Sequence, residues 1–396
     1  MSANQDVATA VCREFFRAAT KPDGGLRPEA ERVLADVRID WDWLATYLVS
    51  SGLARPLLAQ LNDPVLTRHA PDRFGVTMTQ CGVFDVMRQR RQRAVASRIA
   101  DALHELGGHG VLLKGMAFLM GAPPGAVSRA TTDIDVLVDP SLAARLRSHL
   151  LGRGFGGAAD AGPSTGYNIA HLAPITCDGI DVEIHTRIMP AYWGLPEGEM
   201  LAGARRTPDM DVLMTLGPEG LVLHSLTHLS KHFYSFGLKT AWDVATVLHA
   251  DPTFNWTRLV AWASRCRLPR GFWSPLQVLA AGLALPVPAA VLAQAPTDRG
   301  AERVTMVASY RAFTATDGMR DLDVMSQIGF TLLLHERWRH RLGYLWQVHG
   351  WRVARPDTWS ATVTRAQTAD VLGRAWREYR RYRSSAIRAD VPPAFE

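Results

Sequence analysis

The segment VSRATTDIDVLVD, residues 127–139, places two aspartates at alternate positions where the chain enters an apolar strand. Side chains along a strand point to alternate faces, so Asp133 and Asp135 share one face while Ile134 packs on the other. The apolar run that follows is typical of a central strand buried on both faces. Two carboxylates on one face repel each other, and a bound cation would remove that repulsion. Because hard divalent ions prefer carboxylate oxygens, the segment predicts a metal site.

A second alternating segment, IDVEIHT, carries Asp181, Glu183 and His185 on one face of a later strand. A glutamate lying across from the two aspartates would complete a three-carboxylate cup for two Mg²⁺ ions. Two such ions can clamp the attacking and leaving oxygens in nucleotidyl transfer. Asp181 is the alternative third ligand. His185 is expected to orient its neighbours, because Mg²⁺ favours oxygen over imidazole nitrogen.

A candidate phosphate site lies where the short strand VLL passes into the helix that begins at MAFLMG. The two residues at this junction are Lys114 and Gly115. Such a junction presents backbone amides and the positive end of a helix dipole to an anion, and glycine allows close approach. Arg129 would add positive charge by contacting phosphate, or would pair with Asp133.

The pattern along the whole chain predicts an α+β fold, with a small mixed sheet between N-terminal and C-terminal helical domains. Within residues 111–190 the expected order is strand, helix, strand, helix and hairpin, with Asp178-Gly179 in the hairpin turn. The expected regions are an N-terminal helical region, the sheet core, a helical domain and an Arg/Trp-rich region, at residues 1–105, 106–215, 216–300 and 301–396.

The composition favours a cytoplasmic protein without a membrane partner. The four cysteines form no CxxC pair, which is typical of reduced, buried thiols. The N-terminal segment lacks the basic and apolar regions of a signal peptide. Residues 271–297 contain no charged side chain, but prolines interrupt them, so two buried helices joined by a turn are expected rather than a membrane span.

Three motifs in order, LLKGMAF, SRATTDIDVLV and VEIHTRI, resemble the DNA polymerase beta-like nucleotidyltransferase superfamily. More narrowly, they resemble its bacterial branch described as "nucleotidyltransferase family protein". That branch has a lysine-glycine strand end, an arginine shortly before an Asp-x-Asp, and a carboxylate-x-His on a later strand. Segments upstream and downstream also look like the helical regions of that branch, so the resemblance covers most of residues 40–290.

The resemblance implies a Mg²⁺-dependent nucleotidyltransferase that moves a nucleoside monophosphate from a nucleoside triphosphate, such as ATP, to an acceptor hydroxyl. Pyrophosphate would be released, and the acceptor would be a small molecule, a peptide or a protein. Asp133 and Asp135 would bind both metals, and Glu183 would help to bind the ion that activates the acceptor. This chain has Gly115-Met116 where the superfamily has Gly-Ser or Gly-Gly. That difference leaves open a catalytically inactive nucleotide-binding or partner-binding protein.

Further candidates lie in the helical domain. His224, His228 and His232 are four residues apart and share one stripe of a helix, a spacing that can bind zinc. The stripe lacks the glutamate of HExxH, so a polar stripe facing the nucleotide cleft is favoured over a zinc hydrolase. Lys231 would instead help to hold phosphate. Asp243 is either a general base or a salt-bridge residue.

Arginines alternate with aromatic residues in RAWREYRRYR, residues 374–383. This composition can bind a nucleic-acid backbone, but a solvated amphipathic helix is the favoured interpretation. No nucleic-acid partner is therefore expected, and the sequence does not specify an oligomeric state.

Overall fold

The computed structural model describes the part of the chain from residue 10 to residue 346, with gaps. The described residues are 10–16, 26, 28–36, 39–121, 127–158, 170–208, 210–235, 237–312, 324–342 and 344–346. The basic and aromatic segment at 374–383 lies outside them, so its interpretation stays a prediction.

A six-stranded mixed sheet forms the centre of the described chain. Its strands are β1 (Gly110–Leu113), β2 (Asp133–Val138), β3 (Ile175–Cys177), β4 (Ile180–His185), β5 (Arg205–Thr207) and β6 (Met210–Thr215). Their spatial order is β3-β4-β2-β1-β6-β5. Strand β2 is therefore interior, as its apolar run predicted.

Helices precede, interrupt and follow the strands. Before β1 come α1 (Pro28–Leu34), α2 (Trp41–Ser50), α3 (Pro64–His69) and the long α4 (Asp72–Glu105), with a 3₁₀ turn at Leu58–Asn62. Between strands lie α5 (Lys114–Gly121), α6 (Pro140–Gly152) and α7 (Glu197–Ala202), with a 3₁₀ turn at Ala191–Trp193. After β6 come α8 (Pro218–Lys231), α9 (Gly237–Ala250), α10 (Trp256–Arg265), α11 (Arg270–Leu283), α12 (Ala289–Leu292), α13 (Arg299–Arg311) and α14 (Val324–Leu334).

The two acidic motifs are adjacent because β2 and β4 run parallel, with Asp133 opposite Asp181 and Asp135 opposite Glu183. Strand β1 pairs with β2 in the antiparallel sense, and Leu113 lies opposite Asp135. The residue that follows β1 therefore emerges beside both carboxylates.

The hairpin predicted from Asp-Gly joins β3 to β4. Both turn residues have positive φ, 51° at Asp178 and 71° at Gly179. Aspartate and glycine tolerate this left-handed backbone, which a two-residue hairpin turn requires. The turn brings the short β3 back along the outer side of β4.

Successive side chains of β2 point to opposite faces of the sheet, and each face has its own apolar core. Ile134 and Val136 pack with α4 and α6 on one face of the sheet. Leu113 and Leu137 belong to the larger core on the other face, which α8 and α9 help to build together with the N-terminal helices. The two aspartates lie on this second face, because they share the parity of Leu137. The acidic side of the sheet is thus covered by helices.

The structure confirms the α+β fold with a small mixed sheet and flanking helices. Strands β5 and β6 were not predicted; β6 pairs parallel to β1 and widens the sheet. Residues 41–61, within the region expected to be helical, form α2 and most of the 3₁₀ turn that follows it. The uncharged segment forms α11 and α12, and among the described helices none is both long and apolar enough to cross a membrane.

Candidate active site

Asp135 and Glu183 meet at a single ammonium group. The Nζ atom of Lys114 lies 2.5 Å from Asp135 Oδ1 and 3.5 Å from Glu183 Oε2. Asp135 is 1% exposed, whereas the side chains of Lys114 and Glu183 keep about a fifth of their surface accessible. The cluster is therefore accessible to solvent through Lys114 and Glu183.

Two histidines border the same carboxylates. His185 Nε2 lies 2.8 Å from Asp135 Oδ1 and 3.4 Å from Glu183 Oε2. His171 Nδ1 lies 2.8 Å from the carbonyl oxygen of Leu172 and so donates to it. In a neutral ring this leaves a lone pair on Nε2, which lies 3.8 Å from Glu183 Oε2. The surroundings of Glu183 thus contain two imidazoles as well as an ammonium.

The charged groups of the cluster stabilise one another in their ionised forms. Burial alone would raise the pKa of Asp135, but the Lys114 ammonium and the His185 hydrogen bond more than offset it and lower that pKa. Burial opposes the ionisation of Glu183 too, and the hydrogen bond with His185 and the charge of Lys114 lower its pKa. Burial would lower the pKa of Lys114, whereas Asp135 and Glu183 raise it above its usual value. The cluster holds two carboxylates and one ammonium, all charged at neutral pH.

Asp133 lies at the start of β2 and is only half buried. Its Oδ1 atom lies 3.3 Å from the hydroxyls of Thr131 and Thr132, which donate to it. Burial and the charge of Asp135 raise its pKa. Asp181, its register partner on β4, is exposed. The structure therefore brings Asp135 and Glu183 into one cluster with His185, and leaves Asp133 and Asp181 on its solvent side.

The turn between β1 and α5 is tightly constrained. Lys114 has φ of 49°, a left-handed conformation that side chains other than glycine seldom adopt. A Cβ atom on Gly115 would lie 2.5 Å from Thr131 Cβ and closer still to Oγ1. The glycine is thus required for the turn to pack against the segment that leads into β2.

Arg129 does not pair with Asp133. Its Nε donates to Asp243 Oδ1 at 2.8 Å and its Nη2 to Asp243 Oδ2 at 2.6 Å. Both side chains are almost fully buried. Burial raises the pKa of Asp243, and the guanidinium beside it works in the opposite direction. Asp243 accordingly has the salt-bridge arrangement, and the predicted phosphate contact of Arg129 stays a prediction.

Several other groups hold the segment before β2. Gln89 Nε2 donates to the carbonyls of Ser128 and Arg129, and Gln92 Nε2 donates to that of Thr131. Trp242 Nε1 donates to the carbonyl of Val127, 3.2 Å away. The backbone of Gly52 accepts from Ala130 N, and a Cβ there would lie 2.7 Å from Ala130 O. Residues from α4, α9 and the turn after α2 thus fix the entry into the acidic strand.

Two further lysines, Lys231 and Lys239, approach the cluster from α8 and α9. Burial lowers the pKa of Lys231 to about 8, with the charge of Lys114 acting in the same direction. Burial also lowers the pKa of Lys239 to about 8, helped by the charge of Arg129. A buried ammonium that repels its neighbours is stabilised by an anion, so this side of the site suits phosphate.

The histidine stripe of α8 packs ring against ring. His228 Nε2 and His232 Nε2 lie 3.1 Å apart, and their ring centroids are 4.3 Å apart. Burial lowers the pKa of His224 and of His232 to about 3, and that of His228 well below its usual value. The neighbouring charges of Lys114 and Lys231 lower these pKa values further. The stripe is a neutral polar surface in a positive environment, which disfavours a metal cation.

The donor atoms that suit a cation are those of Asp135, Glu183 and His185. One ligand atom from each lies within 4.8 Å of the others, which no other group of three acidic, histidine or cysteine residues in the described chain achieves. Two carboxylate oxygens and one imidazole nitrogen match the ligand preferences of small divalent ions. The residues present therefore fit a divalent metal.

Sequence reasoning missed several residues around the site. His171 lies beside Glu183 because residues before β3 form a bridge with His185. In the sequence, nothing distinguishes His171 except its place in the segment that leads to the hairpin. Gln89 and Gln92 lie on α4 among exposed arginines, and the three-residue spacing of the two glutamines is their only sign in the sequence. Nothing local showed that their amides turn inward.

The region that matches a known protein family includes both the sheet and its flanking helices. A family model described as "Uncharacterised nucleotidyltransferase" matches residues 38–283, which include β1 to β6 and α2 to α11. No curated protein and no solved structure matches the chain. The matched region contains the acidic strands, the Lys114-Gly115 turn, the segment before β2 and both lysines of α8 and α9. The chain therefore belongs to the family of uncharacterised nucleotidyltransferases.

Proposed function

We propose that the protein transfers a nucleoside monophosphate from a nucleoside triphosphate to an acceptor hydroxyl, with Mg²⁺ as cofactor and pyrophosphate as product. The observation that carries this proposal is the register of β2 and β4, which sets Asp135 beside Glu183 at a lysine-bearing turn. Membership of the family supports the reaction type.

Asp135 and Glu183 would hold the metal, and Asp133 would complete the acidic set from the solvent side. The bound ion would polarise the phosphate oxygens and lower the barrier to attack by the acceptor oxygen. Asp133 shares a strand face with Asp135 and would turn its carboxylate from the threonine hydroxyls toward the ion. His185 would keep Asp135 oriented through its 2.8 Å hydrogen bond.

The triphosphate would lie between the Lys114-Gly115 turn and the lysines of the helical domain. Lys231 and Lys239 are half buried; burial first, and then the nearby positive charges of Lys114 and Arg129, lower their pKa values, an effect that added negative charge would oppose. A triphosphate would supply that charge, and both ammonium groups would then be stabilised. Arg129 would act indirectly by holding the segment that ends at Asp133.

The transfer is a single displacement at the α-phosphorus. The acceptor oxygen forms the new P–O bond, the bond to pyrophosphate breaks, and the hydroxyl proton leaves to a nearby base. Asp243 is a poor base, since both its oxygens accept hydrogen bonds from Arg129. The acceptor would enter between the sheet and α8, because that is the side on which the carboxylates lie.

The alternative is a nucleotide-binding or partner-binding protein that has lost catalysis. Two observations favour it: the Lys114 ammonium neutralises Asp135, and the buried Met116 offers no hydroxyl to phosphate. Such a protein would bind nucleotide without turnover.

Incubation of the full-length chain with each α-labelled nucleoside triphosphate, Mg²⁺ and a host extract separates the two possibilities. Transfer of label to an acceptor, with pyrophosphate release, is expected from the wild type. Asp135→Asn should lower it at least ~100-fold, because a metal supplies several kcal/mol of transition-state stabilisation. Asp139→Asn is the matched control, since Asp139 is exposed and caps α6. Nucleotide binding without transfer across all acceptor fractions would refute the enzyme.

A further inference from the structure

The Lys114 ammonium lies between the carboxylates of the buried Asp135 and the partly exposed Glu183. Its Nζ contacts an oxygen of Asp135 at 2.5 Å and an oxygen of Glu183 at 3.5 Å. A metal ion shared by these carboxylates would lie at about 2.0–2.1 Å from their oxygens if it were Mg²⁺. The ammonium is a compact point charge that bridges carboxylates as a metal would.

The backbone, and not a chance rotamer alone, directs this lysine to the carboxylates. Lys114 follows the last residue of β1, which lies opposite Asp135 in the sheet. Lys114 is the first residue of α5, and its φ of 49° makes the sharp turn from the strand into the helix. Gly115 then packs against Thr131 with no space for a side chain. The position of the lysine is therefore built into the turn.

The hydrogen bonds that Asp135 accepts add a second observation, the contact with His185. Its Oδ1 atom accepts from Lys114 at 2.5 Å and from His185 at 2.8 Å. An aspartate that bridges two metal ions offers one oxygen to each. Here one of the two oxygens is already filled by protein donors, which leaves Oδ2 for a single ion. A second divalent ion at this point would also meet the ammonium at contact distance, and like charges repel.

We propose that Lys114 takes the place of one of the two metal ions predicted from the acidic motifs, so that the site binds a single divalent cation. The role of this cation in binding nucleotide rests on the proposed function. The cation count itself does not depend on catalysis.

Counting bound Mn²⁺ tests this inference directly. The full-length chain is titrated with Mn²⁺, first alone and then with α,β-methylene ATP, and free Mn²⁺ is followed by electron paramagnetic resonance. The wild type should bind one Mn²⁺ per chain under both conditions. Lys114→Met should bind two, or should bind Mn²⁺ alone at least ~10-fold more tightly, because an ammonium in contact with a carboxylate changes its affinity for another cation by that order.

Two control variants test whether the number of bound Mn²⁺ ions depends specifically on the charge at position 114. Lys114→Arg retains the charge and should still bind one ion. Arg145→Met removes an exposed charge from α6, which packs on the face of the sheet opposite the carboxylates, and it should also leave one ion bound. Circular dichroism confirms that each variant is folded.

Two bound ions in the wild type would overturn the inference, as would one ion of unchanged affinity in Lys114→Met or no bound ion at all. Failure of the proposed function would show differently, as correct Mn²⁺ counts without any label transfer.

Discussion

Arg129 and Asp243 form a buried two-point ion pair that joins the segment before β2 to helix α9. The two hydrogen bonds measure 2.8 and 2.6 Å, and the side chains are 4% and 6% exposed. Asp133 and Asp135 follow Arg129 within six residues, so this pair anchors the acidic strand to the helical domain. Helix α9 thus helps to fix the segment that leads into the acidic strand.

Removing the carboxylate of this pair should strongly destabilise the protein. Asp243→Ala leaves the Arg129 guanidinium buried without a counter-ion, which costs about 3–5 kcal/mol of unfolding free energy. Urea denaturation measures the loss. Arg265→Ala is the matched control, because its ion pair with Glu199 is about half exposed and should contribute at most ~1 kcal/mol. Equal losses in the two variants would contradict the anchoring role.

Gly115→Ala should disturb the turn after β1. The new Cβ would lie 2.5 Å from Thr131 Cβ, an overlap that costs roughly 1–3 kcal/mol. Thermal unfolding measures this, and adding Thr131→Gly should recover most of the loss by removing the clashing atoms. Gly152→Ala, at the end of α6, has nothing within 4 Å of its Cβ and should not destabilise the protein. A stable Gly115→Ala protein would show that the turn can move.

Nucleotide affinity should fall as pH rises from 7 to 9. Lys231 and Lys239 have pKa values of about 8, so both lose the charge that attracts a triphosphate in this window. The loss of charge-assisted hydrogen bonds should weaken binding about tenfold. Isothermal titration with a non-hydrolysable triphosphate measures it. The double variant Lys231→Met/Lys239→Met should bind weakly at every pH, and an identical pH profile in both proteins would refute the assignment.

The free energy of unfolding of the nucleotide-free protein should rise with pH, whereas the nucleotide affinity falls. The unfolded chain keeps these two lysines protonated up to about pH 10.5, whereas the folded chain releases their protons near pH 8. Between these values the unfolded state binds more protons, so folding becomes more favourable as pH rises. Comparing urea midpoints of wild type and double variant isolates the effect. A wild type that gains no stability relative to the variant would speak against buried lysines.

The histidine stripe of α8 should hold no zinc ion in the purified protein. The imidazoles of the α8 stripe lie in a positive environment, and no described cysteine or acidic residue joins them to form a group of three ligands. Elemental analysis of protein prepared without chelators measures the content. His228→Ala should not change it. One tightly held zinc ion, lost in that variant, would support the hydrolase alternative instead.

Local sequence was informative wherever a short segment sets its own geometry. The alternation in DIDVLV predicted an interior strand, and Asp178-Gly179 predicted the hairpin turn, because both depend on backbone preferences of adjacent residues. The lysine-glycine junction was located for the same reason. The family resemblance was confirmed by the match to residues 38–283.

The sequence by itself determined the fold class and predicted the candidate site residues. Only the tertiary structure decided their partners: Asp243 and not Asp133 for Arg129, Asp135 for Lys114, and Glu183 for His171. These contacts join residues 12 to 114 positions apart, or strands whose register depends on neighbouring elements. Local propensity cannot specify them, because side-chain pairing between distant segments follows from how the helices and the sheet share their buried surfaces.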